Sequence, residues 1–474
     1  MAILGQSGCV QQVLDISLDR LPGAIGSWPE PAILGSGPGF GEAGRWSIFT
    51  AYPRLVFEAT GCHWTTRDDR GEFRSGEGDP LTELARLVRR FDLGPSAESP
   101  STDSCPFRGG LIGYFGYDIA PLIERLPRRT PRDSRLPDIR MALHDTAVIA
   151  DHARGKVTLN AWDLTGEGTG AAERRCKAWR RALRDAIDAP RAIRTSRLGP
   201  LRSNFSRDAY LGTVGRVLEY IAAGDVFQIN LSQRFTAEGT IEPLDLYSRL
   251  GTLSPAPFSA FLRWRDLAVV SASPEWFYAT RGDRIVTRPI KGTRPRSADP
   301  EQDARLATEL AASPKDRAEL TMIVDLERND LGRICRYGSV RVIDPLTVES
   351  FAQVHHLVAT VEGRTRPEVE PVDVLQAVFP GGSITGAPKI RAMEIIDELE
   401  PTRRGLYTGA IGYLSRGASG FNIAIRTITV EGNTLHYQVG GGIVADSDPE
   451  AEYEETLHKG RGLRAVIEEQ GGAS

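Results

Sequence analysis

Apolar residues recur along residues 1–190 in short runs separated by turn-forming residues, a pattern that predicts β-strands. The clearest runs are RWSIFTAYPRLVFEAT at residues 45–60 and KVTLNAWDL at residues 156–164. A helix in which Arg and Ala alternate is predicted at residues 171–189, and the chain from there to residue 205 is expected to be a connector. The first part of the chain should therefore be rich in β-structure.

The pattern changes at Ser206, where longer helices separate the strands. Residues 206–225 begin with a capping serine, carry apolar residues at helical spacing and end near a glycine. Hairpin-like strands that cluster between long helices predict an α+β fold with antiparallel sheets. The further helices are predicted at residues 313–330, 387–400 and 448–469, and the strands at residues 226–237, 258–274, 407–415, 421–432 and 433–443.

Composition narrows the class of protein. The 474 residues are 41% hydrophobic and 25% charged, which is ordinary for a soluble globular protein and fits two to three domains or one large core. A formal charge of -4 leaves no basic field, so nucleic-acid binding is not expected. No apolar run approaches the ~18–20 residues of a membrane span. Five scattered cysteines argue against a disulfide framework or a zinc site, and the absence of a signal-peptide pattern predicts a cytoplasmic location.

Two predicted helices carry acids at a spacing suited to a cation. Asp316 and Glu319 are three residues apart near the start of one helix, and Glu452 and Glu455 are three apart in another. Residues three apart share a helix face, so two such pairs can hold Mg²⁺ through oxygen atoms. The alternative is that acids in a first helical turn favour the macrodipole and bind no ligand.

Three glycines and an arginine are candidates for anion binding. Gly440, Gly441 and Gly442 directly follow an apparent strand, and glycine lets backbone amides approach an anion closely. A tight turn would require the same residues. Arg426 lies within the apolar strand pattern at residues 421–432, where it either faces solvent or pairs with a carboxylate.

His356 and Glu275 are candidates for proton transfer. His356 lies beside an apolar run, where a histidine either transfers a proton or has a structural role. Glu275 has hydrophobic neighbours, which would raise its pKa and fit it to act as an acid. Alternatively it is a surface residue at the end of a strand.

Lys291 lies in VTRPIKGTRPR, residues 286–296, between two turn-forming segments. Arg288, Arg294 and Arg296 surround it in the sequence. Three nearby positive charges would lower the pKa of Lys291 and favour the neutral amine that a nucleophile requires. If the arginines face solvent or a partner, this effect is lost.

Seven segments in order resemble the motifs of the chorismate-utilising enzymes. This family includes anthranilate synthase large subunits, aminodeoxychorismate synthase component I, isochorismate synthases and salicylate synthases. The segments are GDVFQINLSQRF, SASPEWF, PIKGTRPR, RAELTMIVDLERNDLGRIC, FPGGSITGAPKIRAMEIIDELEP, YTGAIGYL and GGGIVADSDPEAEYEET. The first half of the chain resembles the family less tightly, in GRWSIFTAYP and FRGGLIGYFGYD.

The resemblance implies a fold and an organisation. The fold would consist of large antiparallel sheets packed as a two-layer core flanked by helices. Residues 1–165 would form the N-terminal region, residues 166–205 a helix and connector, and residues 206–468 the chorismate-binding region. The two regions would intertwine in one compact unit.

Two positions indicate a branch of the family. Aminodeoxychorismate synthases typically have the motif PIKGT, as at Lys291, whereas anthranilate synthases typically have PIAGT. Isochorismate and salicylate synthases have a lysine at the position of Gln228 that activates water, so Gln228 argues against water as the nucleophile. The resemblance therefore implies conversion of chorismate and ammonia to 4-amino-4-deoxychorismate, for 4-aminobenzoate and folate biosynthesis. The alternatives are anthranilate synthase component I and an inactive chorismate-binding regulator.

The resemblance also implies a metal and its ligands. Mg²⁺ would bridge the ring carboxylate of chorismate to Glu319 and Glu455, with Asp316 and Glu452 acting through water. The family usually has Glu at the position of Asp316, so the shorter side chain changes this contact.

The resemblance implies three catalytic roles. Lys291 would attack ring carbon 2, and Glu275 would protonate the hydroxyl that leaves carbon 4. His356 would orient or neutralise the region of the ring carboxylate. The substrate would also be held by Thr293, Tyr407, Arg426, Gln228 and the backbone of Gly440, Gly441 and Gly442.

A source of ammonia and a possible effector complete the predictions. The chain has no GxCxGxQ-like nucleophile motif, so ammonia would come from a separate glutamine amidotransferase subunit or from solution. The N-terminal half of family members can hold tryptophan, and Ser36 in AILGSG matches the serine of that site. Because the usual Leu-Leu-Glu-Ser pattern is not intact, feedback inhibition is not predicted.

Overall fold

The computed structural model describes residues 3–4, 9–37, 39–96, 103–189, 196–351 and 354–471, so part of the predicted connector lies outside the described residues. The helices are α1 (Leu21–Gly26), α2 (Pro80–Arg90), α3 (Ala120–Ile123), α4 (Thr169–Asp188), α5 (Arg207–Ala222), α6 (Pro243–Leu253), α7 (Pro300–Ala312), α8 (Pro314–Gly332), α9 (Pro371–Val378), α10 (Lys389–Leu399) and α11 (Pro449–Gly471). The strands are β1 (Ile3–Leu4), β2 (Cys9–Leu14), β3 (Ala32–Gly35), β4 (Trp46–Thr50), β5 (Leu55–Thr60), β6 (His63–Asp68), β7 (Phe73–Glu77), β8 (Gly110–Phe115), β9 (Ile139–His144), β10 (Thr146–Asp151), β11 (Lys156–Trp162), β12 (Arg197–Leu198), β13 (Arg202–Ser203), β14 (Gln228–Thr240), β15 (Phe258–Trp264), β16 (Leu267–Ser273), β17 (Trp276–Arg281), β18 (Arg284–Arg288), β19 (Ile290–Pro295), β20 (Arg341–Ser350), β21 (Val354–Arg364), β22 (Gly386–Ala387), β23 (Ala410–Ser415), β24 (Ala418–Ile423), β25 (Thr427–Glu431) and β26 (Thr434–Ile443).

The strands form two large antiparallel sheets. The first has the order β1-β2-β11-β10-β4-β3-β15-β16-β25-β26-β14-β12, with β13 and β22 also paired to β14. The second has the order β19-β21-β18-β17-β24-β23-β8-β9-β5-β6-β7, with β20 paired to β21. In both sheets, strands from the part of the chain before residue 206 pair with strands from the part after it. These pairs include β3 with β15, through Gly35 and Ser259, and β8 with β23, through Gly113 and Gly412. The short strands β12 and β13 also pair with β14.

The two sheets pack face to face, and helices cover their outer faces. Tyr114 and Ile411 of the second sheet share a buried cluster with Trp264 and Val269 of the first, so this cluster is the layer between the sheets. Apolar side chains of α1, α4, α6 and α11 cover the first sheet, and those of α2, α8 and α9 cover the second. The predicted α+β fold with a two-layer core flanked by helices is confirmed.

Local sequence signals explain where the helices near the site begin. The side chain of Ser206 accepts a hydrogen bond from the backbone N–H of Ala209 and caps α5. Ser313 does the same for the N–H of Asp316 at the start of α8, where Pro314 occupies the first turn. The predicted helices at residues 313–330, 387–400 and 448–469 correspond to α8, α10 and α11. None of the helices within the described residues has the length and apolar character needed to cross a membrane.

Two predicted strands are in fact pairs of strands. Residues 258–274 form the hairpin of β15 and β16, with Arg265 at φ 50° in the turn. Residues 421–432 divide into the end of β24, which belongs to the second sheet, and β25, which belongs to the first. Apolar residues lie on both sides of each break. Residues of both β15 and β16 pack in the layer between the sheets, whereas Ile423 packs in the core of the second sheet and Ile428 in that of the first.

Candidate active site

A cavity of about 1000 Å³ opens between the carboxyl-terminal strands of the two sheets and helices α8 and α11. A site of this size is large enough for a small-molecule substrate. It brings together most of the site residues that the sequence predicts. Those that line it are Glu275, Lys291, Thr293, Asp316, Glu319, His356, Tyr407, Arg426, Gly440, Gly442, Glu452 and Glu455.

Lys291 lies in strand β19 and not in a loop between turns. Its ammonium donates a hydrogen bond to the carbonyl of Ser383 at 3.3 Å. Burial lowers the pKa of Lys291, the charge of Lys459 lowers it further, and Glu319 and Glu275 oppose the change. A lowered pKa makes the neutral amine, which is the form that can act as a nucleophile, easier to reach than in a solvated lysine.

The arginines near Lys291 in the sequence do not produce this effect. Arg288 pairs with Glu349, Arg296 pairs with Asp303 at 2.8 Å, and Arg294 pairs with Glu309 at 2.9 Å. The prediction that these arginines lower the pKa of Lys291 is therefore wrong. The charges of the three arginines are balanced by acids. Burial is the main cause of the lowered pKa of Lys291.

Glu275 lies immediately before β17 and is 7% exposed. Its backbone is fixed by the N–H of Ile423, which donates to the Glu275 carbonyl at 3.1 Å. Burial raises the pKa of the Glu275 carboxyl group, while the hydroxyl of Ser383 and the charge of Lys291 oppose the rise. The alternative of a surface residue is excluded, and the carboxyl group has the raised pKa of a general acid.

His356 lies in β21 opposite Thr293 of β19. Its Nδ1 is 2.9 Å from the hydroxyl of Thr293. Burial and the charge of Arg426 lower the pKa of His356 to about 4. Without a bound ligand the ring is therefore neutral near pH 7 and can hydrogen-bond a carboxylate. Its role at the ring carboxylate stays a prediction.

Arg426 does not lie in a strand. It occupies the crossover between β24 and β25 with φ 48°, a conformation that non-glycine residues rarely adopt. Burial lowers the pKa of its guanidinium group. Within the described residues no carboxylate pairs with it, although most arginines of the chain are paired. An unpaired, largely enclosed arginine that lines a cavity is suited to bind a carboxylate of a ligand.

The four predicted metal-binding acids face the cavity from two helices. In α8, Arg294 contacts Asp316 at 3.3 Å, and burial raises the pKa of Glu319. In α11, the hydroxyl of Ser447 donates to Glu452 at 2.6 Å. Lys459 pairs with Glu455 at 2.6 Å.

These acids fit a divalent cation in their type and their environment. Burial raises the pKa of Glu319 and of Glu452, and the neighbouring charge of Glu455 adds to both shifts. A bound cation would relieve this repulsion, and carboxylate oxygens are the ligands that Mg²⁺ prefers. In the described part of the chain, however, no three His, Cys, Asp or Glu side chains already lie close enough to hold a metal ion. Lys459 contacts one oxygen of Glu455, which leaves the other oxygen available to a cation.

The three glycines lie inside strand β26. The pairing of β26 with β25 ends at Tyr437, so beyond that residue this edge of β26 faces the cavity. A Cβ atom at Gly441 would lie 3.0 Å from an oxygen of Glu452 and 3.5 Å from one of Glu455. Any side chain at Gly441 would therefore lie very close to these acids, which is a reason for glycine at this position. Gly441 lies beside the acids and does not line the cavity.

Gln228 is fully buried behind Gly442. A Cβ atom at Gly442 would lie 2.8 Å from Nε2 of Gln228. Neither polar atom of the Gln228 side chain has a hydrogen-bond partner within the described residues. The structure therefore places Gln228 next to the cavity but not on its surface.

Ser36 lies apart from the cavity, near the end of β3. Its N–H donates to the hydroxyl of Ser47 at 2.9 Å, and its own hydroxyl contacts the carbonyl of Ala43 at 3.5 Å. Binding of tryptophan at Ser36 remains a prediction.

Sequence reasoning missed three residues of the site. Ser383 accepts a hydrogen bond from Lys291 and also contacts Glu275, so it joins two groups of predicted function. Lys459 follows Glu455 by one helical turn and also donates to the carbonyl of Gly440 at 3.0 Å, and Lys315 precedes Asp316. Helical spacing could have identified Lys459. Ser383 lies in the motif segment FPGGSITGAPKIR, but nothing in that segment distinguished the serine itself.

Comparison with known proteins agrees with this geometry. The family of chorismate binding enzymes matches residues 51–465. The chain is 44% identical to aminodeoxychorismate synthase component 1 of Klebsiella aerogenes over 92% of this chain and 93% of that protein. It is 42% identical to anthranilate synthase component 1 of Thermus thermophilus over 90% of both chains.

A solved structure shows the same fold. Anthranilate synthase component I from Streptococcus pneumoniae superposes with a TM-score of 0.77 and 34% identity, over 88% of this chain and 91% of that one. The family match and these relatives extend over most of the chain, including both sheets and the cavity. The chain therefore belongs to the family of chorismate binding enzymes.

Proposed function

We propose that the chain converts chorismate and ammonia to 4-amino-4-deoxychorismate and thereby serves 4-aminobenzoate and folate biosynthesis. The observation that carries the proposal is Lys291, held in the cavity wall with a lowered pKa and joined through Ser383 to Glu275. Identity alone does not separate the two activities, because the relatives with each name are 44% and 42% identical to the chain.

The cavity has groups for both carboxylates of chorismate. The unpaired guanidinium of Arg426 would bind the carboxylate of the enolpyruvyl arm, with Tyr407 and the backbone of Gly440 and Gly442 beside it. The neutral ring of His356 and the hydroxyl of Thr293 would orient the ring carboxylate by hydrogen bonds. Both carboxylates are then fixed, which places carbon 2 and carbon 4 of the ring at defined positions.

The acids of α8 and α11 would hold Mg²⁺. Glu319 and Glu455 would bind it directly, and Asp316 and Glu452 would act through water. When bound, the cation supplies a positive charge that polarises the ring carboxylate and draws electron density from the ring.

The first chemical step would form a bond between Lys291 and carbon 2. The neutral amine of Lys291 attacks carbon 2, the two ring double bonds shift, and the bond from carbon 4 to its hydroxyl breaks. The Glu275 carboxyl group gives its proton to that hydroxyl, which leaves as water. The result is a covalent adduct on the lysine and an ionised Glu275.

The second step would release the product. Ammonia attacks carbon 4, the double bonds shift back, and the bond from Lys291 to carbon 2 breaks. The Glu275 carboxylate accepts a proton from the incoming nitrogen and regains its starting form. The sum is chorismate plus ammonia giving 4-amino-4-deoxychorismate plus water, with Lys291 and Glu275 restored.

Ammonia would come from a separate glutamine amidotransferase subunit. The sequence has no GxCxGxQ-like nucleophile motif of its own. Both curated relatives are named as component 1, which supports a division of labour between subunits. We further propose that the enzyme acts in the cytoplasm.

Product identification tests the proposal. Purified chain is incubated with chorismate, MgCl₂ and ammonium chloride, and products are separated by chromatography with and without an added lyase that releases pyruvate. We expect a product that the lyase converts to 4-aminobenzoate. Formation of anthranilate with release of pyruvate by the chain alone would instead establish the anthranilate synthase activity. No turnover of chorismate would favour the inactive regulator.

A further inference from the structure

A buried ion pair lies beside the cavity wall, in the segment between α10 and β23. Nε of Arg404 donates a hydrogen bond to one oxygen of Glu400 at 2.9 Å, and Nη2 donates to the other oxygen at 2.8 Å. Both side chains are buried, and neither lines the cavity. The function proposed above gives this pair no role.

The carboxylate of the pair is bonded on its other side as well. The backbone N–H of Ser232 in β14 donates to Glu400 at 2.9 Å, and the hydroxyl of Ser232 donates to the same oxygen at 2.8 Å. Stability is a weak reason for such a pair, because the cost of removing two charges from water offsets most of their attraction. A buried polar network whose members are all bonded does, however, hold the groups it contacts in one arrangement.

Arg404 binds three segments of the chain at the cavity wall. Nη1 donates to the carbonyl of Ile384 at 3.0 Å and to the hydroxyl of Thr408 at 3.3 Å, and Nη2 donates to the carbonyl of Asn230 at 2.5 Å. With the two bonds to its acid partner, these use all five N–H groups of the guanidinium. Ile384 and Asn230 line the cavity, and Thr408 directly follows Tyr407, which also lines it. Segments distant in sequence are therefore joined at one side chain.

The segment of Ile384 carries a contact between the two proposed catalytic groups. Ile384 follows Ser383 in a single turn of 3₁₀ helix. The carbonyl of Ser383 accepts a hydrogen bond from Lys291 at 3.3 Å, and its hydroxyl contacts Glu275. Arg404 thus holds the turn that connects the proposed nucleophile with the proposed acid.

The segment of Thr408 belongs to the proposed site for the enolpyruvyl carboxylate. The ring of Tyr407 lies 5.7 Å from the guanidinium carbon of Arg404. Thr408 has φ 59°, and its backbone N–H donates to the carbonyl of Ala424 at 2.9 Å. Ala424 lies two residues before Arg426, so this bond connects Thr408 with the crossover that carries Arg426.

We propose that Arg404, held by Glu400, is a positioning residue that fixes the two ends of the cavity relative to each other. One end carries Lys291 and Glu275, and the other carries Arg426. A lysine at position 404 would keep the charge but could not bind acceptors in three directions, since only the planar guanidinium presents its donors as a fixed fork. The inference rests on the proposed function, through the roles given to these three residues.

Steady-state kinetics of Arg404→Lys test the proposal. Consumption of chorismate is followed with MgCl₂ and ammonium chloride, well below the unfolding temperature of the variant. We expect kcat/KM to fall about 100-fold or more, through both a lower kcat and a higher KM, because a small misplacement of reacting groups is costly. A kcat/KM within about threefold of wild type would overturn the proposal.

Arg140→Lys is the matched control, because Arg140 is an equally buried arginine paired with acids in the N-terminal half. Arg140 is 4% exposed and Arg404 is 3% exposed. Arg140 pairs with Glu30 at 2.6 Å and with Glu58 at 3.3 Å, and it does not line the cavity. The control should lower the unfolding temperature to a similar extent but leave kcat/KM within about twofold of wild type. An equal loss of kcat/KM in Arg140→Lys would show that disruption of any buried pair is sufficient and would disprove the positioning role.

A double-mutant cycle tests whether Arg404 acts through Ser383. Ser383→Ala removes the hydroxyl beside Glu275 and keeps the backbone of the turn. If Arg404 acts by holding this turn, the loss of kcat caused by Arg404→Lys should be about fivefold smaller in the Ser383→Ala background. Losses that simply multiply would show that the two residues act independently and would contradict the proposal.

Thr408→Val tests one attachment alone, even if Arg404→Lys does not fold. It removes the side-chain acceptor that connects Arg404 with the segment leading to Arg426. KM for chorismate should rise about three- to tenfold while kcat stays within about twofold, since the turn of Ser383 remains attached. An unchanged KM would contradict the proposal.

The outcome is separable from that of the proposed function. Consumption of chorismate is measured whether the product is 4-amino-4-deoxychorismate or anthranilate, so the expected losses with anthranilate as product would support the positioning role and contradict the proposed function. An unchanged kcat/KM with the expected product would contradict the positioning role alone. For a chain that binds chorismate without turnover, calorimetry gives Kd, which should rise about tenfold in Arg404→Lys and stay unchanged in Arg140→Lys. Equal Kd values in the two variants would overturn the proposal.

Discussion

The cavity and the strands around Ser36 differ in how their polar groups are satisfied. Around Ser36 each group has a neighbour within the protein, since Ser36 and Ser47 bond each other and Ser47 contacts His152 at 2.8 Å. In the cavity Arg426 has no acid partner within the described residues. Gln228, which lies beside the cavity and not on its surface, has no hydrogen-bond partner for either polar atom of its side chain in the same part of the chain.

An enclosed charge without a partner is costly, so the unpaired Arg426 favours a bound anion in the cavity. Within the described residues, buried polar atoms without a hydrogen-bond partner also occur in the N-terminal half, at Tyr117 and His144. The contrast therefore concerns Arg426 and Ser36: Arg426 lacks a partner that a ligand carboxylate could supply, and Ser36 has its partners within the protein. The following predictions test that contrast, beginning with the largest effect.

Replacement of the proposed nucleophile should have the largest effect. Lys291→Ala should lower kcat by roughly a thousandfold or more, because the covalent path is lost. Steady-state rates of product formation from chorismate and ammonium chloride provide the measurement. Lys156→Ala, at an exposed strand end, is the matched control and should keep the wild-type rate. A Lys291→Ala rate within tenfold of wild type would show that the lysine is not the nucleophile.

Replacement of the acids in α8 and α11 should raise the Mg²⁺ concentration that activity requires. Glu319→Gln or Glu455→Gln should raise the Mg²⁺ concentration for half-maximal activity by about 10- to 100-fold. Titration of activity with MgCl₂ measures the change, and isothermal calorimetry of Mg²⁺ binding gives a readout without turnover. Asp325→Asn, an exposed acid of α8 that pairs with Arg328 at 2.9 Å, is the control. Unchanged Mg²⁺ binding in both variants would contradict the metal site.

Arg426→Gln should weaken substrate binding. A hydrogen bond to a charged group contributes about 1.5–3 kcal/mol, so KM for chorismate should rise about 10- to 100-fold. Initial rates over a range of chorismate concentrations measure this. Arg284→Gln, which breaks the exposed pair with Glu362, should leave KM unchanged. A normal KM in Arg426→Gln would mean that another group binds the carboxylate.

A buried histidine outside the cavity should affect stability and not catalysis. Burial lowers the pKa of His144 to about 3, below its ordinary value of 6.5, so the unfolded chain binds a proton more readily. Stability should therefore be fully present above about pH 6.5 and fall with decreasing pH, by about 1.4 kcal/mol per pH unit at most. Denaturant unfolding between pH 7 and pH 5 measures the slope. His144→Gln should have a shallower slope, and an equal slope would disprove the assignment.

The smallest effect is expected at Ser36. Ser36→Ala removes one contact of 3.5 Å and should leave the rate within about twofold of wild type. Added tryptophan should not inhibit either protein, since the usual motif is not intact. Inhibition of the wild type that Ser36→Ala abolishes would show that the N-terminal half is also a ligand site.

The sequence predicted the structure best where capping residues and the spacing of side chains indicate the same helix. The helices that begin at Ser206 and Ser313 follow from their capping residues, and the acids three residues apart face the cavity as their spacing predicts. The turn at Arg426 was not predictable, because the apolar pattern continues through the crossover between two sheets.

Long-range contacts explain the other differences. The pKa of Lys291 depends on burial and on charges distant in sequence, such as Glu319 and Lys459, and not on the arginines beside it in the sequence. Ser383 becomes part of the site only because the turn that carries it packs against α8. The residues adjacent in sequence to Lys291 and to Ser383 do not indicate either contact.

Detection of the covalent adduct tests the central claim most directly. Wild-type chain and Lys291→Ala are mixed with chorismate and MgCl₂ without ammonia, quenched in acid and weighed as intact proteins by mass spectrometry, with peptide mapping of the modified residue. We expect the wild type to gain the mass of chorismate less one water on Lys291, and the variant to gain nothing. Amination of chorismate by a wild type that never shows this adduct, or the same adduct on the variant, would contradict the account.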